Sequence, residues 1–173
     1  VEEQWAEVQP GVVRDELNYH LKEHRLFFGP NTSTSNRCMM GGMVGNNSSG
    51  STSISYGTTR EKLLGLELVT ADGVLRAMGD IKSDGVREIP SAVEDWIKQW
   101  QDAWRSQNLE AHFPDASIHR RNTGYAIDLI GSDADALLSV MCGSEGTLGI
   151  TTKIRVALDP LPPAHVAVAA LHY

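Results

Sequence analysis

Two stretches hold the residues best suited to chemistry. The longer one runs Gly29-Pro30-Asn31-Thr32-Ser33-Thr34-Ser35-Asn36-Arg37-Cys38-Met39-Met40-Gly41-Gly42-Met43-Val44-Gly45-Asn46-Asn47-Ser48-Ser49-Gly50. Glycine reaches positive φ and lets a ligand approach the main chain closely. Asn, Ser and Thr add neutral donors and acceptors and tolerate tight turns. Such a segment can turn successive N–H groups toward a diphosphate or the polar edge of a ring. The shorter stretch is Gly143-Ser144-Glu145-Gly146-Thr147-Leu148-Gly149-Ile150, with glycine at every third position. By composition alone, the first could equally be a glycine-rich surface loop and the second a tight helix–strand turn.

Several familiar sites are excluded. A dinucleotide fingerprint runs from strand through G-x-G-x-x-G into helix. Here a helix precedes Gly143 and a strand follows it, so the order is reversed. A P-loop needs Gly-Lys-Ser/Thr, which is absent. Cys38 and Cys142 form no C-x-x-C pair and are too few for a zinc or iron–sulfur centre. They read as reduced, buried thiols, although spacing does not decide against a disulfide. His20 and His24 stand four apart on a predicted helix, as a metal pair could, but no third ligand accompanies them and a surface pair is the reading. Net charge is −7, and Arg120-Arg121 is the only adjacent basic pair. That argues against a nucleic-acid partner of the phosphate-clamping kind. An anionic cofactor would then depend on main-chain N–H groups rather than a basic surface. No apolar run approaches the ~20 residues of a membrane span, and the first residues carry neither a basic nor an apolar leader segment. A cytoplasmic location is expected. With no initiator Met and strand-like sequence from the start, the chain is expected to be a segment of a longer protein.

The elements that must position these stretches are legible from periodicity. Gln4–Val8 alternates as a short strand, and Pro10-Gly11 turns it. Val13, Leu17 and Leu21 define an amphipathic helix over Val13–His24. Leu26-Phe27-Phe28 is a buried extended piece. The Gly29–Gly57 region is too long for a structureless connection in a compact domain, and its Met39, Met40, Met43 and Val44 argue against a linker. Leu63–Thr70 and Val74–Met78 flank Ala71-Asp72-Gly73, a strong hairpin signal. Ser91–Gln107 reads as a helix opened by a Ser91/Glu94 capping box. Trp96, Trp100 and Trp104 fall on one face of it, as a core-packing stripe. Tyr125–Ile130 is expected to be extended, Asp133 or Asp135 to cap a helix reaching Met141, Thr147–Leu158 to be a strand, Pro160–Pro163 a rigid linker, and Val166–His172 a last strand.

Taken in order, Val8-Gln9-Pro10-Gly11-Val12, Gly29–Thr34, Gly41–Gly50, Tyr56-Gly57, Leu66–Gly73 and Gly143–Ile150 resemble the FAD-linked oxidase family, the vanillyl-alcohol-oxidase group with its p-cresol-methylhydroxylase-type FAD domain. Glycolate oxidase flavin subunits, D-lactate dehydrogenases and D-2-hydroxyglutarate dehydrogenases are the most similar branches. The resemblance implies an α+β fold, a mostly antiparallel sheet flanked by helices, forming the second subdomain of the FAD-binding domain. It implies FAD as cofactor. Pro30, Asn31, Thr32, Ser33 and Thr34 would lie along the diphosphate and ribityl chain with Gly41 and Gly42. Asn46, Asn47, Ser49 and Gly50 would approach the flavin. The Gly143–Ile150 block, with Gly146, would close over the cofactor, the main chain at Gly149 and Ile150 facing the adenine side and Glu145 capping donors in that turn. Met39 departs from the family, which usually carries a Thr there. The resemblance further implies that residues 1–173 are a partial FAD domain with a probable helical insertion at 82–130. The first FAD subdomain and the substrate cap are absent from these residues. The implied reaction is oxidation of a small 2-hydroxy acid with hydride transfer to FAD. The same scaffold oxidising another alcohol or a sugar, and a non-redox nucleotide-binding or interaction module, stay open as alternatives. No catalytic acid, base or nucleophile is assigned.

Overall fold

The computed structural model describes residues 3–82, 84–85, 90–115, 117–118, 124–131, 136–163 and 169. Alternating and apolar segments become strands β1 (Trp5–Val8), β2 (Leu26–Phe27), β3 (Leu63–Val69), β4 (Leu75–Gly79), β5 (Ile150–Ala157) and β6 (Asp159–Pro160). The helices are α1 (Arg14–Leu21), α2 (Met40–Asn46), α3 (Ser53–Tyr56), α4 (Thr59–Lys62), α5 (Ser91–Ser106) and α6 (Ala136–Met141). Strands β1-β5-β3-β4 form one sheet in that spatial order, every neighbouring pair antiparallel. Strands β2 and β6 form a separate antiparallel ribbon. The α+β expectation is met.

Strand β3 is central because it is nearly all Leu and Val, with Leu63, Leu66 and Leu68 buried. Its Leu-rich run is broken only by Gly65 and by Glu67, whose carboxylate accepts from Thr152 Oγ1 at 2.7 Å. Its hairpin to β4 turns at Asp72-Gly73, where Gly73 has φ +74° and its N–H donates to Thr70 O at 2.8 Å. The Asp72 carboxylate accepts from Thr70 Oγ1, Arg76 Nη2 and Val74 N. These bonds, the Thr70 hydroxyl first, hold its pKa down at about 2. The main core joins α1, α2 and α6 to this sheet through residues such as Leu17, Met40, Met43, Val44, Leu66, Leu138 and Ile154. A smaller cluster of Ile130, Ala136 and Val140 lies beside it, with Ile97, Trp100 and Ile127 packed on its edge.

The Gly29–Gly57 region, expected not to be a linker, holds α2 and α3. Three local expectations change. Helix α5 is capped by Pro90, whose extended φ/ψ of −59°/139° makes Ser91 the first helical residue, so the Ser91/Glu94 box does not form. A capping box instead opens α4, with Thr58 N donating to Glu61 Oε2 at 2.6 Å. Tyr125–Ile130 is a series of turns ending in a 3-10 segment, Leu129–Gly131, that buries Ala126 and Ile130 rather than an extended piece. Pro160 belongs to the β2–β6 ribbon rather than to a free linker. The expected strand at Val166–His172, the Asp133/Asp135 cap and the Arg120-Arg121 pair lie outside the described residues.

Candidate functional site

A groove of about 660 Å³ opens where the first turn of α2 faces the turn between α6 and β5. Pro10 and Gly11, at the end of β1, form one side with Met39, Gly41 and Gly42. Ser144, Gly146, Gly149, Ile150 and Thr151 form the other, and Leu66, Leu68, Val44 and Met141 give it an apolar floor. The two glycine-rich stretches therefore meet at one place, although they stand about a hundred residues apart in the chain.

Local chemistry explains why they meet. Gly41 N donates to Pro10 O at 2.9 Å, and Met40 N donates to Val12 O at 2.9 Å. A Cβ on Gly41 would come 2.6 Å from Pro10 Cβ, so this approach of α2 to the β1 turn requires glycine. At the other end of α2, Gly143 N donates to Val44 O at 2.9 Å and Glu145 N to Gly45 O at 2.8 Å. The second takes up a carbonyl that the end of a short helix leaves without its own partner, while Val44 O also accepts from Asn47 N at 3.1 Å. Asn46 Nδ2 donates to Glu145 Oε1 at 2.8 Å, so Glu145 accepts a side-chain amide rather than capping main-chain donors of its own turn. Asn47 closes the helix in the left-handed region at φ +49°, a conformation Asn tolerates. Its Oδ1 accepts from Arg60 N at 2.9 Å.

Arg60 braces the whole junction. Its Nε donates to Ser139 O at 3.0 Å and Cys142 O at 3.2 Å, and its Nη2 to Gly124 O at 3.2 Å and to Cys142 O. Burial lowers the Arg60 pKa, with the charges of Cys142, Asp128 and Glu61 acting in the opposite direction. Burial pushes the neighbouring Cys142 thiol up to about 12 against the pull of Arg60. Cys142 is accordingly a packed neutral thiol, not a nucleophile. Cys38 and Cys142 are both free, Cys38 only half-buried. His20 and His24 are exposed on the first helical segment, and no group of metal-ligating residues forms among the described residues.

Of the residues singled out from the sequence, Gly41, Gly42, Gly146, Gly149 and Ile150 line the groove. Pro30 is buried, and its carbonyl accepts from Arg14 Nε at 3.1 Å. Gly50 packs on the carbonyl of Asn31, which a Cβ would approach to 2.0 Å. Thr32 and Thr34 share a hydroxyl contact of 3.2 Å, and Thr32 Oγ1 reaches Cys38 Sγ at 3.3 Å. Ser33 is exposed and Ser49 half-buried. Pro30–Thr34, Asn46, Asn47, Ser49 and Gly50 thus stand behind and beside the groove rather than in its lining. Arg37, Met39, Leu66, Leu68, Ser144 and Thr151 are lining residues that the motifs did not single out as contacts. The lone charge of Arg37 in a neutral stretch was the available signal for one of them. Leu66 and Leu68 carried none, because a groove floor and an ordinary core strand have the same composition.

The lining suits an anionic, partly aromatic ligand. A Cβ on Gly42 or Gly146 would meet nothing within 4 Å, so the main chain there is open to a ligand. The N–H groups of Gly42, Gly146 and Gly149 have no hydrogen-bond partner among the described residues. Gly149 is held by packing, since its Cβ would lie 2.4 Å from Leu68 Cδ1. Unpaired N–H groups beside an apolar floor match a cofactor with phosphates and flat rings.

The comparisons with known proteins point to one class. Residues 1–79 match the FAD binding domain family. Among individual proteins, the chain is 35% identical over 97% of its length to the D-2-hydroxyglutarate dehydrogenase of Pseudomonas putida. It is 30% identical over 91% of its length to glycolate oxidase subunit GlcD of Escherichia coli. It spans 17% of the first relative and 22% of the second. The solved structure of an alkyldihydroxyacetonephosphate synthase superposes with a TM-score of 0.57 at 18% identity, covering 94% of this chain and 20% of that one, and so shares the fold. The resemblance carried by the glycine-rich blocks is borne out. No helix among the described residues is long and apolar enough to cross a membrane.

Proposed function

We propose that the groove between residues 41–45 and 144–151 holds FAD, and that the full-length protein oxidises a small 2-hydroxy acid of the D-lactate, glycolate or D-2-hydroxyglutarate type. The observation that carries this reading is the pair of facing glycine walls, whose N–H groups at Gly42, Gly146 and Gly149 have no partner among the described residues. The relatives support the substrate class, one being a D-2-hydroxyglutarate dehydrogenase and the other a glycolate oxidase subunit.

When bound, FAD supplies the acceptance of a hydride from the substrate carbon. The residues of this chain bind and orient. Gly42, Gly146 and Gly149 donate main-chain hydrogen bonds to anionic or carbonyl oxygens. Leu66, Leu68 and Val44 give the rings an apolar surface and keep water from one side of them. Asn46 and Asn47 fix the two walls relative to each other through Glu145 and Arg60. Pro30, Asn31, Thr32, Ser33, Thr34, Ser49 and Gly50 form the backing loop, which sets the position of the α2 wall and reaches the cofactor along its edge. We assign the first FAD subdomain, the substrate cap and the groups that move the substrate proton to the remainder of the full-length protein. We further propose that residues 82–130 are an insertion in the FAD domain, and the cytoplasm is the expected location.

The test uses full-length protein reconstituted with FAD and desalted. Flavin absorbance should persist and should bleach without oxygen on adding D-lactate, glycolate or D-2-hydroxyglutarate. Colourless protein would end the flavoprotein reading. Retained flavin bleached only by alcohols lacking a carboxylate would end the hydroxy-acid reading.

A further inference from the structure

We infer that Arg37 is the cationic contact for the phosphate groups of the cofactor, and so a binding residue of a groove otherwise built from main-chain donors and apolar side chains. The inference rests on the proposed FAD groove and adds a named side chain to it. Among the described residues, Arg37 is the only charged one in the groove lining. It is also the only charged residue between Arg25 and Arg60 in the sequence, in a chain of net charge −7. A diphosphate brought to such a protein meets repulsion overall, and a local cation is the direct way to offset it.

The backbone around Arg37 is pinned while its side chain is not. Arg37 N donates to Thr34 O at 2.9 Å and Cys38 N to the same carbonyl at 2.8 Å, a tight turn. Arg14 N donates to Cys38 O at 3.0 Å, and Val13 bridges to Met39, which ties the turn to α1. Among the described residues the guanidinium has only the adjacent Asn36 Oδ1, at 3.2 Å and exposed. Three other arginines are committed to the fold. Arg14 serves Pro30 O and Phe28 O, Arg60 serves the α6 carbonyls, and Arg155 joins Asp80 and stacks 3.7 Å above the Trp5 ring. Glu145, beside the far wall, is engaged by Asn46 and does not line the groove, and Asp15 is engaged by Ser35 Oγ and Arg14. A fixed origin, a free planar fork of donors and no competing carboxylate in the lining suit bidentate capture of phosphate oxygens.

The experiment titrates FAD into full-length apoprotein at several salt concentrations for wild type, Arg37→Gln and Arg37→Lys. Arg37→Gln should weaken FAD about tenfold at low salt, the scale of one charge-assisted hydrogen-bonded contact. It should also flatten the rise of Kd with salt, since screening then has one fewer charge pair to act on. Arg37→Lys should keep the salt dependence and lose affinity by less. Equal affinity and equal salt dependence in Arg37→Gln would overturn the inference while leaving the FAD groove standing. So would unchanged FAD binding accompanied by a raised KM for the hydroxy acid, which would assign Arg37 to the substrate carboxylate. Absence of FAD binding in the wild type would overturn the groove, and the inference with it.

Discussion

Helices α2 and α5 reverse what their sequences promise. Helix α5 spans Ser91–Ser106, with tryptophans at four-residue intervals and charges on the other face, yet none of its residues is fully buried and Trp96 is 46% exposed. Helix α2 spans Met40–Asn46, contains three glycines and no aromatic residue, yet Met40, Met43 and Val44 are at most 2% exposed. The difference lies in what each helix can approach. Gly41 lets α2 lie on the Pro10 turn, and the turn at Gly143–Glu145 closes its far end. Helix α5 touches the rest of the fold along one edge, through Trp100 Nε1 to Ile127 O at 2.9 Å and Gln101 to Ile130 O at 3.0 Å. Its tryptophans stack largely on one another and on Phe113. Apolar periodicity tells which face would be buried, while close approach decides whether it is.

Stability measurements by urea denaturation and circular dichroism can break this contrast. The largest effect is expected at Gly50→Ala, where a Cβ would sit 2.0 Å from the Asn31 carbonyl oxygen and backbone must move against backbone. A loss of about 3 kcal/mol is expected, the upper range for overpacking. Arg60→Ala should cost about 2 kcal/mol, because it strands the Ser139 and Cys142 carbonyls and frees the turn that carries Gly146 and Gly149. Arg60→Lys should recover only part, since one ammonium cannot match the planar fork. Trp96→Ala should cost less than about 1 kcal/mol, as for a half-exposed side chain outside the core. A Trp96→Ala loss equal to that of Gly50→Ala would show that α5 carries stability as α2 does, and the contrast would fail.

The same contrast marks what could be read in advance. The hairpin at Asp72-Gly73, strand β5 and helix α1 were legible because alternation, turn chemistry and four-residue spacing all agreed. The two glycine-rich stretches were legible as a pair only through their order among other blocks, since glycines alone fit a surface loop equally well. The groove floor of Leu66 and Leu68 was not legible, because β3 has the same composition whether or not one side meets a ligand. The brace by Arg60 was hidden for a different reason: its partners are carbonyls at Ser139, Cys142 and Gly124, and main-chain acceptors leave no trace in residue type. The α5 capping box failed through a single neighbour, Pro90, which takes the boundary position from Ser91.

Hydrogen–deuterium exchange of the full-length apoprotein with and without FAD tests the central claim most directly. The account predicts slowed exchange in peptides covering 37–45 and 144–151, with residues 91–106 unchanged. Bound FAD that protects neither glycine wall, or that protects residues 91–106 instead, would contradict it.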